Sequence, residues 1–191
     1  MTATRILMLG APGAGKGTQA EKLVARLGVP HISTGDMLRA AVAAETEVGK
    51  RAKAVMESGA LVSDEIVTAI AEERLAQADT ASGFVLDGFP RTAPQAHSLD
   101  GILSRLNVKL DACLALTVDV DAVVERLQRR AEIEGRADDN TDSVRRRMDV
   151  YEEQTAPLLE HYRSQGLLVE VSGVGEIAEV AASIEARLGS P

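Results

Sequence analysis

The sequence predicts an α/β fold: a five-stranded parallel sheet with helices on both faces, carrying a small helical flap and a short lid. Three observations lead there. Short apolar runs alternate with longer stretches of helical period along the chain, and strands that alternate with helices build a parallel sheet. The runs at 6–9, 84–86 and 112–118 are apolar almost throughout, as strands covered on both faces are. Finally, 191 residues suit one domain with a small insertion, a size that hides roughly 70% of the unfolded surface.

The elements follow in order. Ile6 to Leu9 reads as a strand bounded by Gly10, and Gly15 to Leu27 as a helix ended by Gly28 and Pro30. His31-Ile32-Ser33 is a short strand. Helical stretches around 35–44, 49–57 and 64–78 come next, more than one crossover needs, so 33–62 is read as a flap carried on the sheet. Phe84 to Leu86 is a strand running into Asp87-Gly88-Phe89-Pro90, followed by a helix near 94–106. Ala112 to Val118 is a buried strand and Asp121 to Ile133 a helix. The polar stretch Glu134 to Asp142, within 130–142, is a short exposed loop between two long helices. One long helix is expected from Asp142 to Tyr162. Leu167 to Val171 and Glu176 to Leu188 close the chain as strand and helix.

Composition removes several classes of function. The net charge is −8, whereas nucleic acid calls for a basic surface. Phe84, Phe89, Tyr151 and Tyr162 are the whole aromatic complement, too few for a base-stacking platform. Cys113, the single cysteine, excludes an internal disulfide and a zinc site of several cysteines. Its apolar run makes it a buried structural thiol. No apolar stretch reads as a signal peptide or membrane span. The expectation is a cytoplasmic monomer that binds neither nucleic acid nor membrane.

The strongest local signal is Gly10-Ala11-Pro12-Gly13-Ala14-Gly15-Lys16-Gly17-Thr18, between a strand and a helix. Glycines let successive N–H groups turn inward around phosphate oxygens, and the helix adds its positive end. Lys16 supplies a point charge able to follow a migrating phosphoryl group. In the general phosphate loop a Ser or Thr follows the lysine and binds magnesium. Here Gly17 intervenes before Thr18. The metal is then expected to be held less directly, through water and phosphate oxygens.

At this point the chain resembles the adenylate kinases. Gly10 to Thr18 is similar to their loop pattern GxPGxGKGT. Ile32-Ser33-Thr34-Gly35-Asp36-Met37-Leu38-Arg39 resembles their second motif and Asp87-Gly88-Phe89-Pro90-Arg91-Thr92 their third. The likeness continues through Arg136-Ala137-Asp138-Asp139 and Arg147 into the tail, over nearly the whole chain. The resemblance implies a P-loop kinase architecture in one domain, 1–191. It implies transfer of the terminal phosphoryl group of Mg-ATP to AMP, giving two ADP. ATP would lie on Gly13, Ala14, Gly15, Lys16, Gly17, Thr18, Arg126, Arg130 and Gly175. AMP would lie on Thr34, Arg39, Ala60, Leu61, Val62, Gly88, Phe89, Pro90, Arg91, Gln95, Arg136 and Arg147, with Thr34 and Gln95 at its adenine. Thr34 and Thr92 favour AMP, since related pyrimidine nucleotide kinases usually carry Ala and Asn there. Asp87 would reach Mg²⁺ through water. Lys16, Arg91, Arg126, Arg136 and Arg147 would act on the moving phosphoryl group.

Helix period adds an independent reading of Arg145-Arg146-Arg147. Val144, Met148, Tyr151, Thr155, Leu158 and Tyr162 form one stripe, and of the three arginines Arg147 lies nearest its centre. Arg126 and Arg130, four apart, share one face. Asp138 and Asp139 either brace the arginines or are solvated loop acids. The lid is short and lacks the four metal-ligand cysteines of many bacterial adenylate kinases, so it is expected to be a metal-free flap. His31, His97 and His161 are read as capping or surface residues. Two rivals stay open: a UMP or CMP kinase, and a nucleotide-dependent switch protein. The latter would need no second-nucleotide motif.

Overall fold

The computed structural model describes residues 4–118, 123, 126, 127, 130, 133 and 140–189. Five strands form one parallel sheet: β1 Arg5–Gly10, β2 His31–Ser33, β3 Phe84–Asp87, β4 Ala112–Thr117 and β5 Leu168–Ser172. Their order is β2-β3-β1-β4-β5. The loop-bearing strand β1 is central, with Ile6 paired to Val85 on one side and Ala112 on the other. After β1 the chain moves outward to β2 and returns through β3, then crosses to β4. Ligands of such sheets gather beyond the carboxyl ends of the strands, near this reversal.

Alternation along β1 divides the core. Leu7 and Leu9 face one side with Ile32, Leu86 and Cys113; Ile6 and Met8 face the other with Val85, Leu114 and Leu116. The second side is covered by α1 (Lys16–Leu27) through Ala20 and Leu23, and by α8 (Ile177–Leu188) through Val180 and Ile184. Over the first side pack α2 (Thr34–Ala43), α3 (Glu47–Glu57), α4 (Asp64–Leu75) and α5 (Ala93–Arg105). Each buried Leu or Ile side chain contributes roughly 1.5–3 kcal/mol over its exposed form. Cys113 lies in this core, and burial pushes its thiol well above the usual range.

The expected long helix from Asp142 to Tyr162 is corrected. α6 (Thr141–Val150) passes into a π-turn, Tyr151–Thr155, and α7 (Leu158–Ser164) starts afresh. The reason is Pro157, which offers no N–H and would crowd the carbonyl four residues back. The chain absorbs it in a wider turn, in which Ala156 N–H donates to Tyr151 O at 2.8 Å. Similarly, the helix expected over 64–78 ends at Leu75, and a 3₁₀ turn at Ala78–Thr80 follows. Positions 123, 126, 127, 130 and 133 are helical. Among the described residues, no helix is long and apolar enough to cross a membrane.

Candidate active site

Segments that follow each of the five strands line one cleft of about 930 Å³. The loop after β1 forms its floor. Gly15 caps α1, whose first turn carries no acidic residue, so the positive helix end faces the cleft uncompensated. Gly13 lies against Val123 and Leu127: a Cβ there would sit 3.0–3.2 Å from their side chains. Packing thus seats the loop on the helix that carries Arg126 and Arg130. Gly13 through Thr18 all line the cleft.

Lys16 is half-buried, and its Nζ donates to the carbonyls of Gly10 at 2.7 Å and Ala11 at 3.0 Å. Burial pushes its pKa down to about 8. The Asp87 carboxylate opposes that shift, whereas Arg91, Arg147 and Arg130 add to it. One lysine therefore senses one acid and three arginines from three different stretches of chain.

Beyond β2, the Ser33 hydroxyl caps α2 by accepting from Asp36 N–H at 3.2 Å. Thr34 is buried at the cleft wall, and Arg39 lines the cleft paired with Asp36. Ala60, Leu61 and Val62, between α3 and α4, form the opposite rim. Beyond β3, Asp87 and Gly88 lead to Arg91, whose Nε donates to Gly88 O at 2.9 Å. Thr155, in the π-turn, donates to Arg91 O at 2.8 Å. The turn that broke the expected helix thus holds the backbone of a site arginine. Nothing in the sequence pointed to that contact except Pro157.

Beyond β4, Arg126 and Arg130 line the cleft, and Arg126 Nη2 donates to Gly173 O at 2.9 Å. Beyond β5, Gly173 and Gly175 complete the wall. From α6, Arg147 lines the cleft half-buried while Arg145 and Arg146 are exposed, the order given by the helix period. Arg136, Asp138 and Asp139 lie outside the described residues.

Two of the residues expected at AMP, Phe89 and Pro90, do not line the main cleft. The Phe89 side chain is 0% exposed and packs in the core beneath β3, because a phenyl ring beside an apolar sheet gains more from burial than from a wet cleft; only its backbone is left to face a nucleotide. Pro90 borders a small adjoining cavity together with Lys16, Arg91 and Arg147. Thr92, read as bearing on the acceptor base, is absent from the cleft wall. Its hydroxyl accepts from Gln95 N–H at 3.3 Å as the cap of α5 and donates to Asp64 at 3.2 Å. Gln95 reaches the cleft with its amide held by Arg91 N–H and Asp64. Asp64 had been read only as part of a helix start; its partner lies 31 residues away, beyond any local pattern. His31 lines the cleft too, with Nε2 3.9 Å from Asp87 Oδ2.

A phosphate loop on the central strand, with cations converging from the other strand ends, defines a nucleotide-dependent phosphotransferase. Comparison with known proteins gives the family. The adenylate kinase family model matches residues 8–167. An adenylate kinase of Sinorhizobium medicae (strain WSM419) is 54% identical over 187 residues, covering 95% of this chain and 97% of that protein. One of Stenotrophomonas maltophilia (strain R551-3) is 51% identical over 184 residues, 96% and 98% of the two chains. One of Thermobifida fusca (strain YX) is 51% identical over 176 residues, 92% and 93%. The chain belongs to the adenylate kinase family.

Proposed function

We propose that the cleft binds two nucleotides at once, ATP along the loop Gly10–Thr18 and AMP against the flap, residues 33–62. The reaction is reversible transfer of the terminal phosphoryl group of ATP to AMP, giving two ADP. One observation carries the assignment. In a chain of net charge −8, Lys16, Arg39, Arg91, Arg126, Arg130 and Arg147 line a single cleft. One triphosphate needs fewer cations than these; a triphosphate and a monophosphate end to end use them all.

On this reading Gly13 to Thr18, Arg126, Arg130 and Gly175 hold ATP. Thr34, Ala60, Leu61, Val62, Gly88, Gln95, Arg39 and Arg91 hold AMP. Arg147 and Lys16 lie between, where charge spreads over the moving oxygens. Arg136 belongs with Arg147, in a lid spanning 130–142. Closing the flap and lid excludes water, which would otherwise accept the phosphoryl group.

Mg²⁺ fits the site as an ion carried in by phosphates. Asp87 offers one half-buried carboxylate at the cleft floor, and Thr18 one hydroxyl. Such sparse, hard oxygen donors suit a metal that keeps its waters. Among the described residues, no three His, Cys, Asp or Glu side chains are grouped to cage an ion. When bound, the metal would supply positive charge to the ATP phosphates, with Asp87 and Thr18 holding it through water. The residues above orient the two nucleotides and hold the alignment. On this reading the enzyme acts as a monomer. Adenine nucleotide substrates and a lone buried thiol fit the cytoplasm. An acceptor panel of AMP, UMP, CMP and GMP tests the assignment. AMP is expected to be preferred by a wide margin, and a preference for UMP or CMP overturns it.

A further inference from the structure

Buried Gln95 and half-buried Asp64 form a side-chain pair behind the cleft wall, and the Gln95 amide is fixed from two sides. Gln95 is 1% exposed. Its Oε1 accepts from Arg91 N–H at 2.7 Å, and its Nε2 donates to Asp64 Oδ1 at 2.6 Å. A backbone N–H can only donate and an ionised carboxylate can only accept. The two partners therefore enforce the same assignment of oxygen and nitrogen. Asp64 is itself held, since the Thr92 hydroxyl donates to the same Oδ1 at 3.2 Å. Asp64 does not line the cleft, whereas Gln95 does.

We infer that Asp64 is a positioning residue for acceptor-base selection: by holding the Gln95 amide against turning over, it makes the site read adenine and reject guanine. The inference rests on the reading that Gln95 faces the AMP base. The base-pairing edge of adenine presents the N6 donor beside the N1 acceptor. That of guanine presents the O6 acceptor beside the N1–H donor, the same spacing in reversed order. An amide that turns over serves either order; one held at both ends serves one. Turning Gln95 over would set Nε2 against Arg91 N–H and Oε1 against the carboxylate, two like-with-like contacts in a buried place. Removing Asp64 abolishes one of those penalties and frees the amide to swing about the Arg91 contact. Asp64 then acts on the base through Gln95, without touching the nucleotide.

The test is steady-state kinetics of the whole chain with AMP and GMP as acceptors, on Asp64→Ala, Asp64→Asn, Gln95→Ala and the double variant, with melting temperatures measured alongside. Asp64→Ala is expected to raise the KM for AMP about tenfold and to lower the AMP-over-GMP ratio of kcat/KM by about tenfold, the size of a lost charge-assisted hydrogen bond. The KM for ATP should stay within about twofold. Asp64→Asn should stay within about threefold of wild type, because its amide oxygen still accepts. The double variant should have no higher KM for AMP than Gln95→Ala alone. Asp64→Ser, which is one bond shorter yet keeps a polar first turn on α4, replaces Asp64→Ala if that variant does not fold. An unchanged AMP-over-GMP ratio in Asp64→Ala, beside a raised KM for AMP in Gln95→Ala, overturns the role of Asp64 and leaves the two-nucleotide reading standing. An unchanged KM for AMP in Gln95→Ala overturns the placement of Gln95 at the base itself. A fall in melting temperature and in kcat with both acceptors, at constant ratio, makes Asp64 merely structural and also overturns the inference.

Discussion

Gly88→Ala separates the two halves of the cleft. Gly88 follows β3 with φ +83°, and a Cβ built there lies 3.0 Å from Thr34 Oγ1 and 3.1 Å from Arg91 Nη2. The left-handed backbone alone costs an alanine about 1–2 kcal/mol. Arg91 can yield at its flexible end. Thr34 is 2% exposed at the first position of α2 and cannot, so crowding adds about 1 kcal/mol. The total, about 2–3 kcal/mol, corresponds in a chain of this size to a fall in melting temperature of about 5–10 °C. The displaced groups are those assigned to AMP. The KM for AMP should therefore rise about tenfold, a loss of about 1.4 kcal/mol, while the KM for ATP stays within about twofold. Thermal unfolding and two-substrate kinetics below the melting point read both effects. Equal rises in the two KM values would refute the division of the cleft. An unchanged melting temperature would refute the steric argument.

Two further outcomes follow from the charges. Arg91→Ala should lower turnover roughly 10³-fold, in the range of arginines that act on a moving phosphoryl group; a loss under about tenfold would remove Arg91 from the phosphates. Lys16, pushed down to about 8 by burial, should regain its proton when the ATP phosphates arrive. ATP binding above pH 8 should then take up protons and weaken as pH rises, by calorimetry in buffers of different ionisation heat. The corresponding term in folding has the opposite sense: between about 8 and the ordinary lysine value the unfolded chain holds more protons, so this group favours the folded state more as pH rises. Affinity for ATP that stays flat from pH 7.5 to 9.5 would contradict the placement of Lys16.

How much of this was legible in the sequence depends on the range of the cause. β1, α1 and the loop between them were readable because their signals are local: an apolar run, a glycine pattern, a lysine in register. Arg147 was picked out from Arg145 and Arg146 by helix period, and its half-buried position agrees, since α6 stays regular through Val150. The same period, extended past Pro157, hid the π-turn and with it the Thr155 contact to Arg91. The direction of the Phe89 side chain was not legible, because a motif gives neighbours in sequence, and a neighbour of a site residue can point into the core. Strand order and the link from Asp64 to Gln95 and Thr92 join distant residues, and no window of sequence contains them.

The central claim is that one cleft holds two adenine nucleotides end to end. A dinucleotide that joins two adenosines through five phosphates tests it most directly, by titration calorimetry beside ATP and AMP alone. It should bind at least about 10²-fold tighter than ATP, because the second site is engaged without a second loss of freedom, and it should compete with both substrates. Affinity no higher than that of ATP would contradict the account.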